Sequence, residues 1–221
     1  MTTQGFFGQQ GTSDDTTEIN RLRFLIRQEM AQTRSGIPVK IVAVHGGGVG
    51  APPTVDVVPL INQTDGQGNQ TPHGTIYGIA TMRNQGGTNG IINDPKVGDI
   101  GHMAISDRDI SALKANAGAQ SNPGSFRRGN MSDGIYMGTI VNPANQDQAV
   151  QFTEGGIKLF DKNGQIIEFS AGSITITTAQ LLVTGDVIAG AGGGASVSLL
   201  NHVHTGVQPG GGTSGPPEPG T

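Results

Sequence analysis

Apolar residues along this chain recur with two different periods, and the switch between them marks its organisation. Ile19, Leu22, Leu25, Ile26 and Met30 fall three or four positions apart, while Arg21, Arg23, Arg27 and Glu29 lie mostly between them. That spacing predicts a helix with one apolar stripe. Asp15-Thr16-Thr17-Glu18 fits a capping box, with the N-cap acceptor at Asp15 and a carboxylate three positions on. Gly36 and Pro38 end the helix. A single stripe on a helix at a chain end predicts docking on the adjacent domain, and partner binding is the second reading. Ahead of the helix, 1–13 is polar and glycine-dotted, an arm expected to be flexible unless a partner orders it.

From Pro38 onward the period is two. Val39–Val44, Thr54–Ile61, the run from Thr71 into Ala80, and Val97–Ile105 each read as a short strand. Between them lie turn-forming stretches such as His45–Gly50 and Asp65–Asn69. Asp107–Ile110 reads as a short closing turn or helix. Short strands at this density predict a small antiparallel barrel of the OB-like kind over 36–112. Residues 113–147 read as a loop and a connecting strand, Ser132–Ile140, ended by Asn142-Pro143.

A second β region follows over 148–200. Gly156–Phe160 and Ile166–Phe169 flank an Asn-Gly turn, and Ser173–Thr177 alternates cleanly. A lone sheet this thin cannot hide both faces. Three copies around a common axis would bury Ile157, Leu159, Ile167, Phe169, Ile174, Ile176, Val183 and Val187, with the threonines outward. The fold class expected is therefore all-β: one short N-terminal helix within 1–35, the barrel, and a trimeric shaft ending in a tip over 201–221.

Composition sharpens that picture. Aromatics are only 4% of residues and glycines number 37, which suits short strands and tight turns better than a large core. A net charge of −4 argues against a solvated coil, and it gives no electrostatic footprint for nucleic acid. Stability borrowed from neighbouring chains reconciles a low apolar content with order, so an obligate oligomer is expected. The sequence has no cysteine, hence no disulfide or thiolate chemistry. No apolar run is long enough to span a bilayer and the first residues lack a signal-peptide pattern, so a cytoplasmic product is expected.

Candidate chemistry concentrates at Asn201-His202-Val203-His204-Thr205-Gly206. On an extended strand both imidazoles face one side. Alone, a His-X-His pair is a weak signal, equally open to a structural or merely exposed role. On a threefold axis, three pairs supply six nitrogen donors, which suit iron, nickel or cobalt better than four-coordinate zinc. Such a closed site would be structural and would fasten the chain ends. The uncharged segment after it, 207–217, either folds back over an apex or forms a flexible tail.

The alternation ending in Leu199-Leu200-Asn201-His202-Val203-His204-Thr205-Gly206, and the following Pro209-Gly210-Gly211-Gly212, resembles the tip of the membrane-piercing central spike proteins of contractile-tailed phages. Val55–Leu60 and Gly98–Gly101 resemble their OB-fold domain, and Arg127-Arg128 to Gly138 resembles the passage into their shaft. The resemblance implies an intertwined trimeric β-helix and one iron ion per trimer, held octahedrally by His202 and His204 of each chain. It also implies a baseplate hub partner at the N-terminal end, the host outer membrane at the tip, and a place at the tip of the tail baseplate in the virion. No small-molecule substrate follows from it.

Other readings are weaker. No nucleophile–base pair, carboxylate pair or open metal site stands out, so the chain is not read as an enzyme. His45-Gly46-Gly47-Gly48 matches an esterase oxyanion motif superficially but lacks its Gly-X-Ser-X-Gly partner, and the glycines suit a tight hairpin. His45, His73 and His102 are read as surface or hydrogen-bonded histidines. A nucleic-acid-binding OB protein needs aromatic platforms and a basic groove, and Tyr77 is almost alone in the barrel region. A trimeric receptor-binding tail fibre is the remaining alternative, although it would present a broader aromatic surface at its end.

Overall fold

The computed structural model describes residues 14–65, 67–141, 145–193, 196–202 and 210. The expected N-terminal arm and most of the expected tip lie outside these residues. The fold is all-β with one helix ahead of the strands, as expected. It divides into two compact units, 1–145 and 146–221.

Helix α1 spans Glu18–Gln32. Its N-cap is Thr17, whose hydroxyl accepts from the Asn20 amide at 3.2 Å, and not Asp15. The Asp15 carboxylate is drawn instead to the Arg21 guanidinium, while Glu18 sits in the first turn where the helix dipole favours an anion. Ile19, Leu22, Leu25, Ile26 and Met30 all remain exposed. The stripe is therefore not buried on the barrel, contrary to the first of the two sequence readings.

Five strands close the barrel: β1 (Gly36–His45), β2 (Thr54–Pro59), β3 (Ile76–Thr81), β4 (Ile100–Ile105) and β5 (Gly134–Val141). Their order around the ring is β1-β2-β3-β5-β4. Strand β5 comes from the segment expected only to connect, so the barrel extends beyond 36–112. Nor is the barrel wholly antiparallel, because β3 and β5 run parallel through Ala80–Ile135 and Thr81–Tyr136. A closed ring of five strands cannot alternate direction all the way round, so one parallel pair is unavoidable. The long connection that such a pair requires is the stretch holding β4.

Strand β1 pairs with β4 through 36–40 and with β2 through 39–45, with a register shift between Ile41 and Ala43. An extra residue there bends the strand so that it can serve both neighbours. Val39, Ile41, Val55, Val57, Ile79, Met103 and Tyr136 fill the interior. Gly101 has no room for a side chain: a Cβ there would lie 2.2 Å from the Gly138 carbonyl oxygen and 2.3 Å from the Tyr136 hydroxyl. Two small ribbons, Gln63–Thr64 with Gln70–Thr71 and Gln85–Gly86 with Asn89–Gly90, extend from the barrel's connections.

The second unit opens with an antiparallel meander of β6 (Ala149–Thr153), β7 (Gly156–Phe160), β8 (Ile166–Ser170) and β9 (Ser173–Thr177). Its pairing aligns Val150 with Leu159, Leu159 with Ile167 and Ile167 with Ile176; it also aligns Phe152 with Ile157, Ile157 with Phe169 and Phe169 with Ile174. These eight side chains share one face. The other face carries Gln151, Lys158, Glu168 and Thr175 in one row, with the remaining threonines of the strands. All eight apolar residues are exposed. Six were expected on one inward surface. Val183 and Val187, the other two, lie outside the strands. The turn between β7 and β8 is held by Asp161, which accepts from the Asn163 and Gln165 amides at 3.0 and 2.8 Å.

One charged cluster secures the closing strand of the barrel. Arg127 grips Asp133 with two nitrogens, Nε–Oδ2 at 2.8 Å and Nη2–Oδ1 at 2.7 Å, and reaches Asp109 Oδ1 at 2.9 Å. Both carboxylates are buried, so each needs several donors to offset its lost hydration. Asp109 also accepts from the Ser125 hydroxyl at 2.7 Å and the Ser111 amide at 2.9 Å, at the start of α2 (Ser111–Ala115). Asp133 accepts from the Ile110 amide at 3.1 Å. Hydrogen bonds from the side chains of Ser111 and Ser125, the Ser111 amide and the Arg127 charge hold Asp109 down at about 2.

A carboxyl depressed in the folded state stabilises the fold above its ordinary pKa, and that stability is lost as pH falls through the folded value. The barrel's thermal midpoint should therefore drop as pH falls from about 4 to about 2. Asp109→Asn should start lower at neutral pH and lose less over the same window. Circular dichroism melts at stepped pH check this, and parallel pH profiles for parent and variant would contradict it.

Candidate functional site

The histidine-bearing end of the chain is built on a short ribbon, β10 (Ile188–Ala189) with β11 (Val197–Ser198). Ile188 pairs with Ser198 and Ala189 with Val197. Gly190 and Gly192, at φ 71° and 85°, adopt the left-handed backbone that the turn between them needs. Over 199–202 the chain leaves the strand path. The Leu199 amide donates to the Val187 carbonyl at 2.8 Å, and the His202 amide turns back to the Ser198 carbonyl at 3.1 Å.

Asp186 organises this turn. Its carboxylate accepts from the Ser198 hydroxyl and, at 2.9 Å, from the Leu200 amide. The Ser198 hydroxyl oxygen in turn accepts from the Asn201 amide at 2.9 Å. The Ser198 hydrogen bond, then the Leu200 amide, hold the Asp186 pKa below the ordinary carboxylate range. These local acceptors capture amides that a continuing strand would offer to a neighbour. The extended path expected over 201–206 therefore starts no earlier than His202. Sequence reading missed Asp186, although a signal existed: it is an isolated charge in a stretch that has no lysine or arginine after Lys162.

His202 Nδ1 lies 3.0 Å from the Ser198 carbonyl oxygen and 3.2 Å from that of Leu199. Carbonyl oxygens only accept, so Nδ1 is the donor in these contacts. Backbone contacts of this kind orient an imidazole ring. His204, its expected companion, lies outside the described residues. Among the described residues no group of three or more His, Cys, Asp or Glu side chains could hold a metal within one chain.

His45 and His102 have local explanations. His45 Nε2 lies 2.9 Å from Asp56 Oδ2, and Asp56 also accepts from the Gly78 amide at 3.0 Å. The His45 contact, then the Gly78 amide, lower the Asp56 pKa. His102 stands on β4 directly over Gly36, where a Cβ would meet its ring at 2.3 Å. The glycines after His45 form the expected tight connection: Gly46, Gly47 and Gly48 all have positive φ, and the Gly48 amide donates to Asp94. Among the described residues no helix is long and apolar enough to cross a membrane.

Comparison with known families bears on this same segment. The family model described as the GpV Apex motif matches residues 196–218, a stretch that includes β11, His202 and His204. The match supports a structural protein of the phage tail spike or baseplate, hence a virion component. It is consistent with a non-catalytic role. No curated protein matches the chain.

Asp186→Ala should release the Leu200 and Asn201 amides while leaving the barrel unchanged. Hydrogen exchange at the two amides measures this directly. Unchanged protection at both would remove Asp186 from the role assigned to it.

Proposed function

We propose that this chain is the central spike of a contractile phage tail, a homotrimer that pierces the host outer membrane when the tail contracts. The observation that carries the reading is the one-sided apolar meander of β6–β9, which precedes the apex motif in the chain. Each of its eight exposed side chains gains on the order of 1–2 kcal/mol when taken from partial exposure to burial. Three copies turned inward around an axis cover all three faces at once and leave Gln151, Lys158, Glu168 and the threonines to water. A wound, intertwined shaft follows if the turn beyond β9 passes each chain to its neighbour. The barrel's order, with its third and fifth strands parallel, supports the OB-like reading of the first unit.

Force along the axis would splay three unlinked chain ends, since terminal residues open at little cost. His202 and His204 of each chain would hold one iron ion through six neutral nitrogens, and the ion would supply a crosslink between the three chains. Contacts of the His202 ring with the backbone carbonyls of Ser198 and Leu199 would orient it for that role. Val203, Thr205, Gly206 and Val207 carry no charge, so their entry into a bilayer demands little ion desolvation.

At the other end, the exposed stripe of α1 fits a groove on the baseplate hub. Spikes lacking residues 1–35 should still form trimers but be missing from assembled tails, as immunoblots of purified particles would show. Normal incorporation would reject the helix as the hub contact.

Native mass spectrometry with elemental analysis tests the rest. The parent should be a trimer with about one transition-metal ion. His202→Ala with His204→Ala should keep the trimer, lose the ion, and give particles that adsorb normally but permeabilise the outer membrane poorly. A monomeric parent would end the reading, and loss of adsorption would favour a receptor-binding fibre.

A further inference from the structure

Phe126 is fully exposed, at 101% of its reference area, yet its neighbours on both sides are fixed. The Ser125 hydroxyl donates to Asp109, and Arg127 is clamped between Asp109 and Asp133. Gly124 packs so closely that a Cβ would sit 2.3 Å from the Ser111 hydroxyl. On the far side, Gly129 is buried with φ 56°, and the Asn130 side chain caps the 3₁₀ turn Met131–Asp133. An aromatic ring presented to water on a backbone held this firmly has already met the ordering cost of binding, which is the character of an interface anchor.

The same unit carries a matching hollow. A cavity of about 260 Å³ lies beside the parallel β3–β5 pair, with Met82, Ile91, Pro95 and Met137 on its walls. Met82, Ile91 and Met137 are exposed. Arg83 also lines it, with its side chain only 6% exposed. Two of its nitrogens are engaged, Nη1 by the Gly50 carbonyl at 2.7 Å and Nη2 by Asp94 at 2.7 Å. Its Nε–H is buried with no acceptor among the described residues. Methionine sulfur favours aromatic rings, and Met82 and Met137 flank the hollow alongside its polar side chains.

We propose that Phe126 of each copy seats in the Met82–Ile91–Met137 hollow of the next copy, making a knob-in-hole ring of three around the barrels. This deepens the trimer reading and rests on it. Every copy offers one knob and one hole, a head-to-tail contact that closes when the rotation is threefold. Three such contacts would join the barrels of the trimer into a closed ring.

The test uses the full chain with Phe126 replaced by p-benzoylphenylalanine, a photo-crosslinker with a preference for methionine. Irradiation should give covalent multimers on denaturing gels, and mapped peptides should join position 126 to Met82, Ile91 or Met137. In parallel, Phe126→Ser should lower the barrel's thermal midpoint by several degrees, an effect that a side chain touching only water would not have. A stable trimer that crosslinks only within one copy or to other surfaces, or an unchanged midpoint, overturns the knob while leaving the trimer standing. A monomer by native mass spectrometry overturns the trimer reading and the knob with it.

Discussion

A four-stranded sheet can satisfy the hydrogen bonds of its inner strands and still be unfinished, because each of its two faces must meet something. In β6–β9 one face is polar and suited to water. The other brings together Val150, Phe152, Ile157, Leu159, Ile167, Phe169, Ile174 and Ile176, with no second layer on top of them among the described residues. A contiguous exposed apolar surface of this size marks an association site rather than a finished domain. The strands cannot cover it themselves, since all four already lie in the same plane. That requirement for a cover is what the proposed trimer would meet.

The first unit solves the same problem differently. By closing on itself, the barrel turns its apolar face inward around Ile41, Val57, Ile79 and Met103 and removes its edges. Closure with five strands forces a parallel pair, and the long connection it needs arrives at β5 through the loop over 116–130. Two buried carboxylates and Arg127 anchor that loop. Breaking such a buried ionic cluster is costly, because it leaves an uncompensated charge in the interior. Here the cluster fixes where β5 begins, and it holds Phe126 away from its own barrel.

At the chain end, the controlling group is a single carboxylate. Asp186 gathers the Ser198 hydroxyl and the Leu200 amide, which ends β11 and leaves His202 with its Nδ1 against two carbonyls. The apex motif therefore begins on a ribbon braced from twelve residues upstream, not on a free strand.

Much of this was legible from residue order alone, wherever the physics is local. Alternation in Ser173–Thr177, the Asn-Gly turn at 163–164 and the helical spacing from Ile19 to Met30 each specify an element through its own neighbours. The all-β class and the one-sided apolar set of the second unit follow from them. What depended on partners distant in the chain had to come from the tertiary structure. The sequence placed Asp15 at the helix cap, but competition from Arg21 moved the cap to Thr17. It left Ser132–Ile140 as a connector, because nothing local says that a strand will return beside Ile76–Thr81. Arg83, Asp186 and Phe126 carry no periodic signal at all. Their roles arise only when folding sets an unpartnered donor in a hollow, an acceptor under a turn, and an aromatic ring on a loop held rigid by charges that lie far apart along the chain.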